Sequence, residues 1–112
     1  MSVLIVGYRR SEEITKCIQH VKALKPEKIY IAMDGPKDHN ANILCNDARI
    51  KAINSVDWQC KINTFFSPKN IGAGKFMIKA LDWFFYNPKT VFIFTLAMLL
   101  SLKRRSRFYD YR

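Results

Sequence analysis

Basic side chains recur in three short segments of the sequence, and each segment follows an apolar run. The five basic residues are Arg9, Arg10, Lys37, Lys69 and Lys75. One acid, Asp34, stands at the turn after the second run. Basic side chains bind phosphate through charge and hydrogen bonds, and a carboxylate accepts hydrogen bonds from a ribose. These residue types predict a site for a phosphorylated ligand.

The familiar phosphate-binding motifs are incomplete in this chain. Gly74-Lys75 fits the end of a P-loop, but Lys69 stands in place of its first glycine and Phe76 in place of its Ser/Thr. The dinucleotide-binding fingerprint fails because Gly72-Ala73-Gly74 is followed by Met77 where glycine is required. No Ser/His/Asp or Cys/His nucleophile arrangement is present at a usable spacing, so no catalytic residue is predicted.

The three cysteines do not form a metal-binding pattern. Cys17, Cys45 and Cys60 are too far apart for a C-x-x-C pair, and neither histidine accompanies such a pair. We therefore predict no metal site and expect reduced thiols in a cytoplasmic protein. The first ten residues, MSVLIVGYRR, have no basic region before the apolar run and no cleavage-site pattern after it, which excludes a signal peptide.

Apolar runs and helical periodicity alternate along the chain. Four β-branched or aromatic runs predict strands at Val3–Val6, Lys28–Met33, Cys60–Phe66 and Val91–Phe94. Helices are predicted from Ser11, as the N-cap, to Leu24, over residues 40–55, and from Lys75 to Tyr86. The order βαβαβαβ predicts an α/β, Rossmann-like fold with a mostly parallel sheet and helices on both faces.

The helical spacing also predicts which side chains face the core. The predicted core residues are Ile14, Cys17, Ile18, Val21, Leu24, Ile43, Ile50, Ile53, Met77, Ala80, Leu81, Phe84 and Phe85. In open α/β sheets ligands bind beyond the carboxyl ends of the strands. We therefore expect Gly7–Arg10, Asp34–Lys37 and Ser67–Lys75 to meet at one edge of the sheet.

The net charge of +10 is concentrated towards the end of the sequence. Residues 101–112 hold five basic residues against Asp110, whereas the other hundred residues carry +6. We divide the chain into an α/β domain over residues 1–94 and a basic tail over residues 95–112. An alternative function is a small basic nucleic-acid-binding module. Its stacking aromatics would be Trp58, Phe65, Phe66 and Tyr109.

The apolar run Val91–Leu102 raises the question of a membrane anchor. A spanning helix needs about 20 apolar residues, and this run has twelve, interrupted by Thr95 and Ser101. No transmembrane span is predicted. The run with the basic residues after it suits at most a weak contact with a membrane surface.

Taken together, four segments resemble the nucleotide-sugar-binding half of the GT-A-fold glycosyltransferases. The resemblance is to the bacterial, family 2-like type, with relatives among N-acetylglucosaminyltransferase-like enzymes. The matching segments are VLIVGYRRSEEITKCIQHVKAL, IYIAMDGPK, DWQCKINTFFSPKNIGAGKFMIKALDWFF and VFIF. They cover residues 2–94, and it is their order and spacing, rather than one motif, that carries the resemblance.

The resemblance implies a donor site and its residues. Gly7, Tyr8 and Arg9 match the loop that lies against the base and ribose of the nucleotide. Asp34 matches the acid that contacts the uracil or ribose. The other matching positions are Gly35 and Pro36 in the same turn and Asn70, Gly72 and Lys75 in the loop and helix start near the donor. The implied partner is a nucleotide-sugar such as a UDP-sugar, and no specific nucleic acid is expected.

The sequence departs from the family after the fourth strand. There the family has an acidic motif that holds Mn²⁺ or Mg²⁺ against the diphosphate, but Phe94 is followed by Thr95-Leu96-Ala97-Met98. The acceptor-binding half, with the usual catalytic base, is also missing from the sequence. We therefore expect a donor-binding half that is inactive alone and carries no cofactor, cut short by a frame change after Phe94.

Overall fold

The computed structural model describes residues 2–86, which form three β/α units. The elements are β1 Ser2–Gly7, α1 Ser11–Lys22, β2 Lys28–Met33, α2 His39–Asn54, β3 Lys61–Phe66 and α3 Ala73–Phe85. The α/β class and the element order are confirmed over this range. The predicted fourth strand, Val91–Phe94, and the basic tail over residues 95–112 lie outside the described residues.

The three strands form one parallel sheet in the order β1-β2-β3. Gly7 lies beside Met33, and Met33 lies beside Phe66, so the three strands end at the same level. Val3 to Val6 of β1 have no exposed surface, as expected of a parallel strand covered on both faces. The aligned ends place the three following loops at one edge of the sheet.

The helices cover both faces of the sheet, as the sequence predicts. One core joins Val3, Ile5, Ile29 and Ile31 of the sheet to α1 and α2. The other joins Leu4, Val6 and Ala32 to Phe76, Ala80 and Phe84 of α3. Alternate strand residues point to opposite faces, which is why neighbouring residues of β1 belong to different cores.

Aromatic side chains fill the core beneath α3. Tyr30 meets Trp83 and Phe84 edge to face, with ring centroids 5.3 and 5.1 Å apart. Phe65 lies 5.4 Å from Phe76 and 5.6 Å from Trp83. Such pairs contribute about 0.5–1.5 kcal/mol beyond the area that they bury. Phe76, which the sequence did not assign to the core, is fully buried.

The predicted inward face of α2 is wrong. Ile43, Ile50 and Ile53 are 68, 59 and 37 % exposed. The buried residues of α2 are instead Ala41, Cys45, Ala48 and Ala52, and Ala48 and Ala52 belong to the core shared with the sheet. Small side chains let α2 lie close to α1, and the large aliphatic side chains lie on the outer side of the helix.

Three smaller predictions about the helices are also wrong. Ser11 is the first residue of α1 rather than its N-cap, which is Arg10. The Thr15 hydroxyl donates to the Ser11 carbonyl at 2.7 Å. Leu24, beyond the end of α1, is 49 % exposed, and Phe85, the last residue of α3, is 45 % exposed although the neighbouring Phe84 is buried.

Lys25 is expected to be a position where glycine raises stability. It has φ of +44°, the only positive φ of a non-glycine residue among residues 2–86. The left-handed region costs an L-residue about 1–2 kcal/mol, and the greater freedom of glycine in the unfolded chain offsets part of that. Lys25→Gly should therefore raise the free energy of unfolding in urea by about 0.5 kcal/mol.

Lys16→Gly is the matched control for that substitution. Lys16 is exposed in the middle of α1, where glycine costs about 1 kcal/mol. The two substitutions are expected to change the free energy of unfolding in opposite directions. A loss of stability at both positions would contradict the strain assigned to Lys25.

Candidate functional site

The three loops after the strands lie side by side, and we call them together the carboxyl edge: Gly7–Arg10, Asp34–Lys37 and Ser67–Lys75. The Asp34 amide donates to the Gly7 carbonyl at 3.1 Å. The Ser67 amide donates to the Met33 carbonyl at 3.0 Å. These bonds extend the backbone hydrogen bonding between the strands by one residue beyond their ends. The predicted meeting of the three segments is therefore confirmed.

The Asp34 carboxylate joins the second and third loops. It is 4 % exposed, and its Oδ1 accepts from the amides of Gly35 and Ile71 at 2.8 and 2.9 Å. Its Oδ2 accepts from the Gly72 amide at 3.0 Å and from Asn70 Nδ2 at 3.3 Å. A carboxylate has about four lone-pair positions, so protein donors fill all of them.

Gly35 lies against the third loop with no room for a side chain. A Cβ at this position would be 2.5–2.7 Å from the backbone atoms N, C and O of Lys69. Asn70 Nδ2 donates to the Gly35 carbonyl at 2.9 Å. The Ser67 hydroxyl donates to the Lys69 carbonyl at 2.6 Å and holds the loop from within. The second and third loops thus form one packed unit.

Tyr8 connects the first loop to the second. Its hydroxyl accepts a hydrogen bond from the Lys37 amide at 3.0 Å. The Arg9 guanidinium carbon is 5.8 Å from the centre of the Tyr8 ring, within the range of a cation–π contact. Arg9 itself is exposed. The first loop therefore presents a partly exposed ring and a cation next to the fixed second loop.

The N-terminus of α3 faces open space at the same edge. Its N-cap is Gly72, with φ of +99°, and no side chain caps it. A Cβ at Gly72 or Gly74 would meet no atom within 4 Å. The first amides of a helix lack internal acceptors and attract anions. Lys75, exposed in the first turn, adds a positive charge there.

Arg49 is a further residue of this edge that the sequence did not single out. Its Nη2 donates to the carbonyls of Ser67 and Asp34 at 2.7 and 3.2 Å. Its guanidinium carbon lies 4.9 Å from the centre of the Phe66 ring. Arg49 comes from the middle of α2 and so places a cation beneath the loops. Its position in a polar helix gave no sequence signal for this role.

Arg49→Lys is expected to lower the free energy of unfolding by about 1–2 kcal/mol. A lysine cannot donate to both carbonyls from one planar group while its side chain stacks on Phe66. Chemical denaturation followed by circular dichroism measures the change. Arg10→Lys is the control, because Arg10 is exposed and makes a 3.2 Å pair with Glu13. Equal effects at both arginines would contradict the assigned contacts.

The predicted basic residues lie around the edge and are all exposed: Arg9, Arg10, Lys37, Lys69 and Lys75. Of these five residues, Arg10 forms an ion pair with Glu13. Of the other predicted site residues, Pro36 is half-buried in the second loop and Gly7 is the last residue of β1. A Cβ at Gly7 would lie 2.6 Å from Cδ1 of Ile14, so this glycine lets α1 start close to β1.

Cys45 and Cys60 are protonated thiols at neutral pH. Burial raises the pKa of Cys45, an effect that Arg49 and a hydrogen bond with Tyr8 partly oppose. Burial also raises the pKa of Cys60. Because the thiolate is the nucleophilic form, neither cysteine is poised for covalent chemistry.

The described residues do not fit the divalent metal ion that the resemblance implies. Within residues 2–86 no group of three His, Cys, Asp or Glu side chains is arranged to hold a metal ion. At the carboxyl edge both oxygens of Asp34 are bonded to N–H groups. Asp38 Oδ1 accepts from the Ala41 amide as the N-cap of α2.

Comparison with protein-family models, with curated proteins and with solved structures finds no match to this chain. Over residues 2–86, each helix is too short or too polar to cross a membrane.

Proposed function

We propose that the carboxyl edge binds a nucleoside diphosphate-sugar, such as a UDP-sugar, as the donor-binding half of a glycosyltransferase. The observation that carries this proposal is the joining of three loops into one packed unit with exposed cations around it. Tyr8 bonds the first loop to the second, and Asp34 bonds the second to the third. A preorganised positive site of this kind suits a diphosphate.

The ligand groups can be assigned to parts of the edge. The partly exposed Tyr8 ring and the Arg9 guanidinium are suited to the base and ribose. The diphosphate suits the open N-terminus of α3 and Lys75, where free amides and a cation act together. The Asp34 carboxylate is saturated by protein donors. In this assignment it orders the loops, and a ligand reaches it only by displacing the 3.3 Å bond from Asn70.

The alternative of a nucleic-acid-binding module gains no support from the positions of its aromatic residues. Trp58 Nε1 donates to the Pro26 carbonyl at 3.2 Å. Phe65 packs between Phe76 and Trp83, and Phe66 lies against Arg49. Tyr109 lies outside the described residues. These rings are used in internal contacts, whereas nucleic-acid stacking needs accessible faces.

Isothermal titration of the full chain with UDP-sugars, UDP and uridine tests the proposal, with and without Mn²⁺. We expect saturable binding of UDP and UDP-sugars and much weaker binding of uridine, because the phosphates meet the cations. Arg9→Gln and Lys75→Gln should each weaken UDP binding by about three- to tenfold.

Lys16→Gln is the charge-matched control, because Lys16 is exposed on α1 outside the loops of the carboxyl edge. It should leave the affinity for UDP unchanged. Equal binding of uridine and UDP would contradict the proposal. So would an equal loss of affinity in all three variants, which would indicate nonspecific attraction to a basic protein.

A further inference from the structure

Oxygen atoms of the carboxyl edge are already bonded within the protein. Both oxygens of Asp34 accept from N–H groups, and Asp38 Oδ1 caps α2. Glu13 Oε1 accepts from Arg10 Nη1 at 3.2 Å. Backbone carbonyls of the edge also accept hydrogen bonds, namely those of Gly7, Asp34, Gly35, Ser67, Lys69 and Gly72. Mg²⁺ and Mn²⁺ bind to oxygen ligands, so this edge is poor in groups that would hold either ion.

The same edge is rich in cations and in free N–H donors. Its three segments hold five basic residues against one acid, a net charge of +4. Within residues 2–86, four of the five form no ion pair, and these are Arg9, Lys37, Lys69 and Lys75. The Phe76 amide makes the first hydrogen bond of α3, to the Gly72 carbonyl at 2.8 Å. The three amides before it, from Ala73 to Lys75, lack an acceptor inside the helix and suit an anion.

The sequence after α3 has the same balance of charge. The first acid after Asp82 is Asp110, and residues 83–109 contain neither Asp, Glu nor His. That stretch does contain Lys89, Lys103, Arg104, Arg105 and Arg107. Its side chains therefore offer further cations for a phosphate and no carboxylate for a metal ion.

We infer that the carboxyl edge takes its nucleoside diphosphate free of divalent cations, and that Mg²⁺ or Mn²⁺ weakens the binding. This inference rests on the proposed function, which makes a nucleoside diphosphate the ligand. A divalent cation bound to the diphosphate cancels two of its negative charges and occupies phosphate oxygens. Those are the charges and oxygens that Lys75, Arg9 and the first amides of α3 would contact. The protein's own cations thus take the place of the metal ion and compete with it.

Isothermal titration of the full chain with UDP in two buffers tests this inference. One buffer contains EDTA and 15 mM NaCl, and the other contains 5 mM MgCl₂, which has the same ionic strength. General screening by salt is then equal in both. We expect binding in the EDTA buffer and a dissociation constant at least threefold higher in the Mg²⁺ buffer. Uridine has no phosphate for Mg²⁺ to bind, so its weaker binding should be the same in both buffers.

Lys75→Glu should reverse the effect of Mg²⁺. Lys75 is exposed in the first turn of α3, where a glutamate is compatible with the helix, so the circular dichroism spectrum should not change. In EDTA the variant should bind UDP at least tenfold more weakly, because a carboxylate replaces a cation beside the phosphates. Mg²⁺ should then raise its affinity, since the ion can bridge the new carboxylate and the diphosphate. Lys16→Glu makes the same change of charge on α1, outside the edge, and should keep the wild-type response to Mg²⁺.

The possible results separate this inference from the proposed function. Binding of UDP only in the Mg²⁺ buffer, or more tightly there, would overturn the inference while the proposed function stood. Equal affinity in the two buffers would also overturn it, because the metal-bound diphosphate would then be an equally good ligand. No binding of UDP in either buffer would contradict the proposed function and the inference with it. A Lys75→Glu variant that binds and responds to Mg²⁺ like the wild type would overturn the assignment of the competing cation.

Discussion

Asp34→Ala is expected to lower the free energy of unfolding by about 3 kcal/mol and to weaken UDP binding more than tenfold. The substitution removes the acceptor of four hydrogen bonds, three of them from backbone amides. Leaving a buried donor unpaired costs about 1–3 kcal/mol, and partial access of water to the loops limits the total. Domains of this size have a stability of about 5–15 kcal/mol, so the loss is a large fraction.

Urea denaturation measures the stability and isothermal titration the affinity. Asp47→Asn is the matched control, since Asp47 is exposed on α2 and makes a 3.1 Å pair with Lys51. Its effect should stay within about 0.5 kcal/mol. If Asp34→Ala kept full stability but lost UDP binding, Asp34 would contact the ligand directly and would not order the loops.

Gly35→Ala is expected to lower the free energy of unfolding by about 2–3 kcal/mol. The added methyl group would lie 2.5–2.7 Å from backbone atoms of Lys69. Because backbone, unlike a flexible side chain, cannot move aside alone, the third loop must shift away from the second. That shift breaks the contacts of Asp34 and Asn70, so UDP affinity should fall with stability.

Two other glycines provide controls, one with a smaller expected loss of stability and one with an expected gain. Gly7→Ala meets the end of the Ile14 side chain, which can rotate away, so its cost should be smaller than that of Gly35→Ala. Gly74→Ala meets no atom within 4 Å and lies in α3, where alanine should raise stability by about 0.5–1 kcal/mol. If Gly35→Ala were as mild as Gly7→Ala, the close packing of the two loops would be contradicted.

The three described strands, and the meeting of their loops at one edge of the sheet, could be predicted from the sequence because the strand signals are local. Continuous β-branched runs such as Val3–Val6 and Lys28–Met33 occur in fully covered parallel strands. Once the strands are parallel, their carboxyl ends must share an edge. The juxtaposition of Tyr8, Asp34 and Ser67 therefore follows from the element order.

The inward face of α2 and the hydrogen bonds of Arg49 could not be predicted from local signals. Periodicity favours Ile43, Ile50 and Ile53 as the inner face, but α2 packs through alanines, and the sequence does not reveal how closely a helix lies to its sheet. The role of Arg49 depends on contacts with Asp34 and Ser67, 15 and 18 residues away. Such contacts are set by tertiary structure.

The amide-resolved NMR titration of the full chain with UDP and a UDP-sugar tests the central claim most directly. Saturable shifts are predicted at Gly7–Arg10, Asp34–Lys37 and Lys69–Lys75, with much smaller shifts on the outer face of α2. Uridine should cause much weaker shifts at the same loops. Saturable shifts confined to other residues, or none at all at millimolar ligand, would contradict a nucleotide-sugar site at the carboxyl edge.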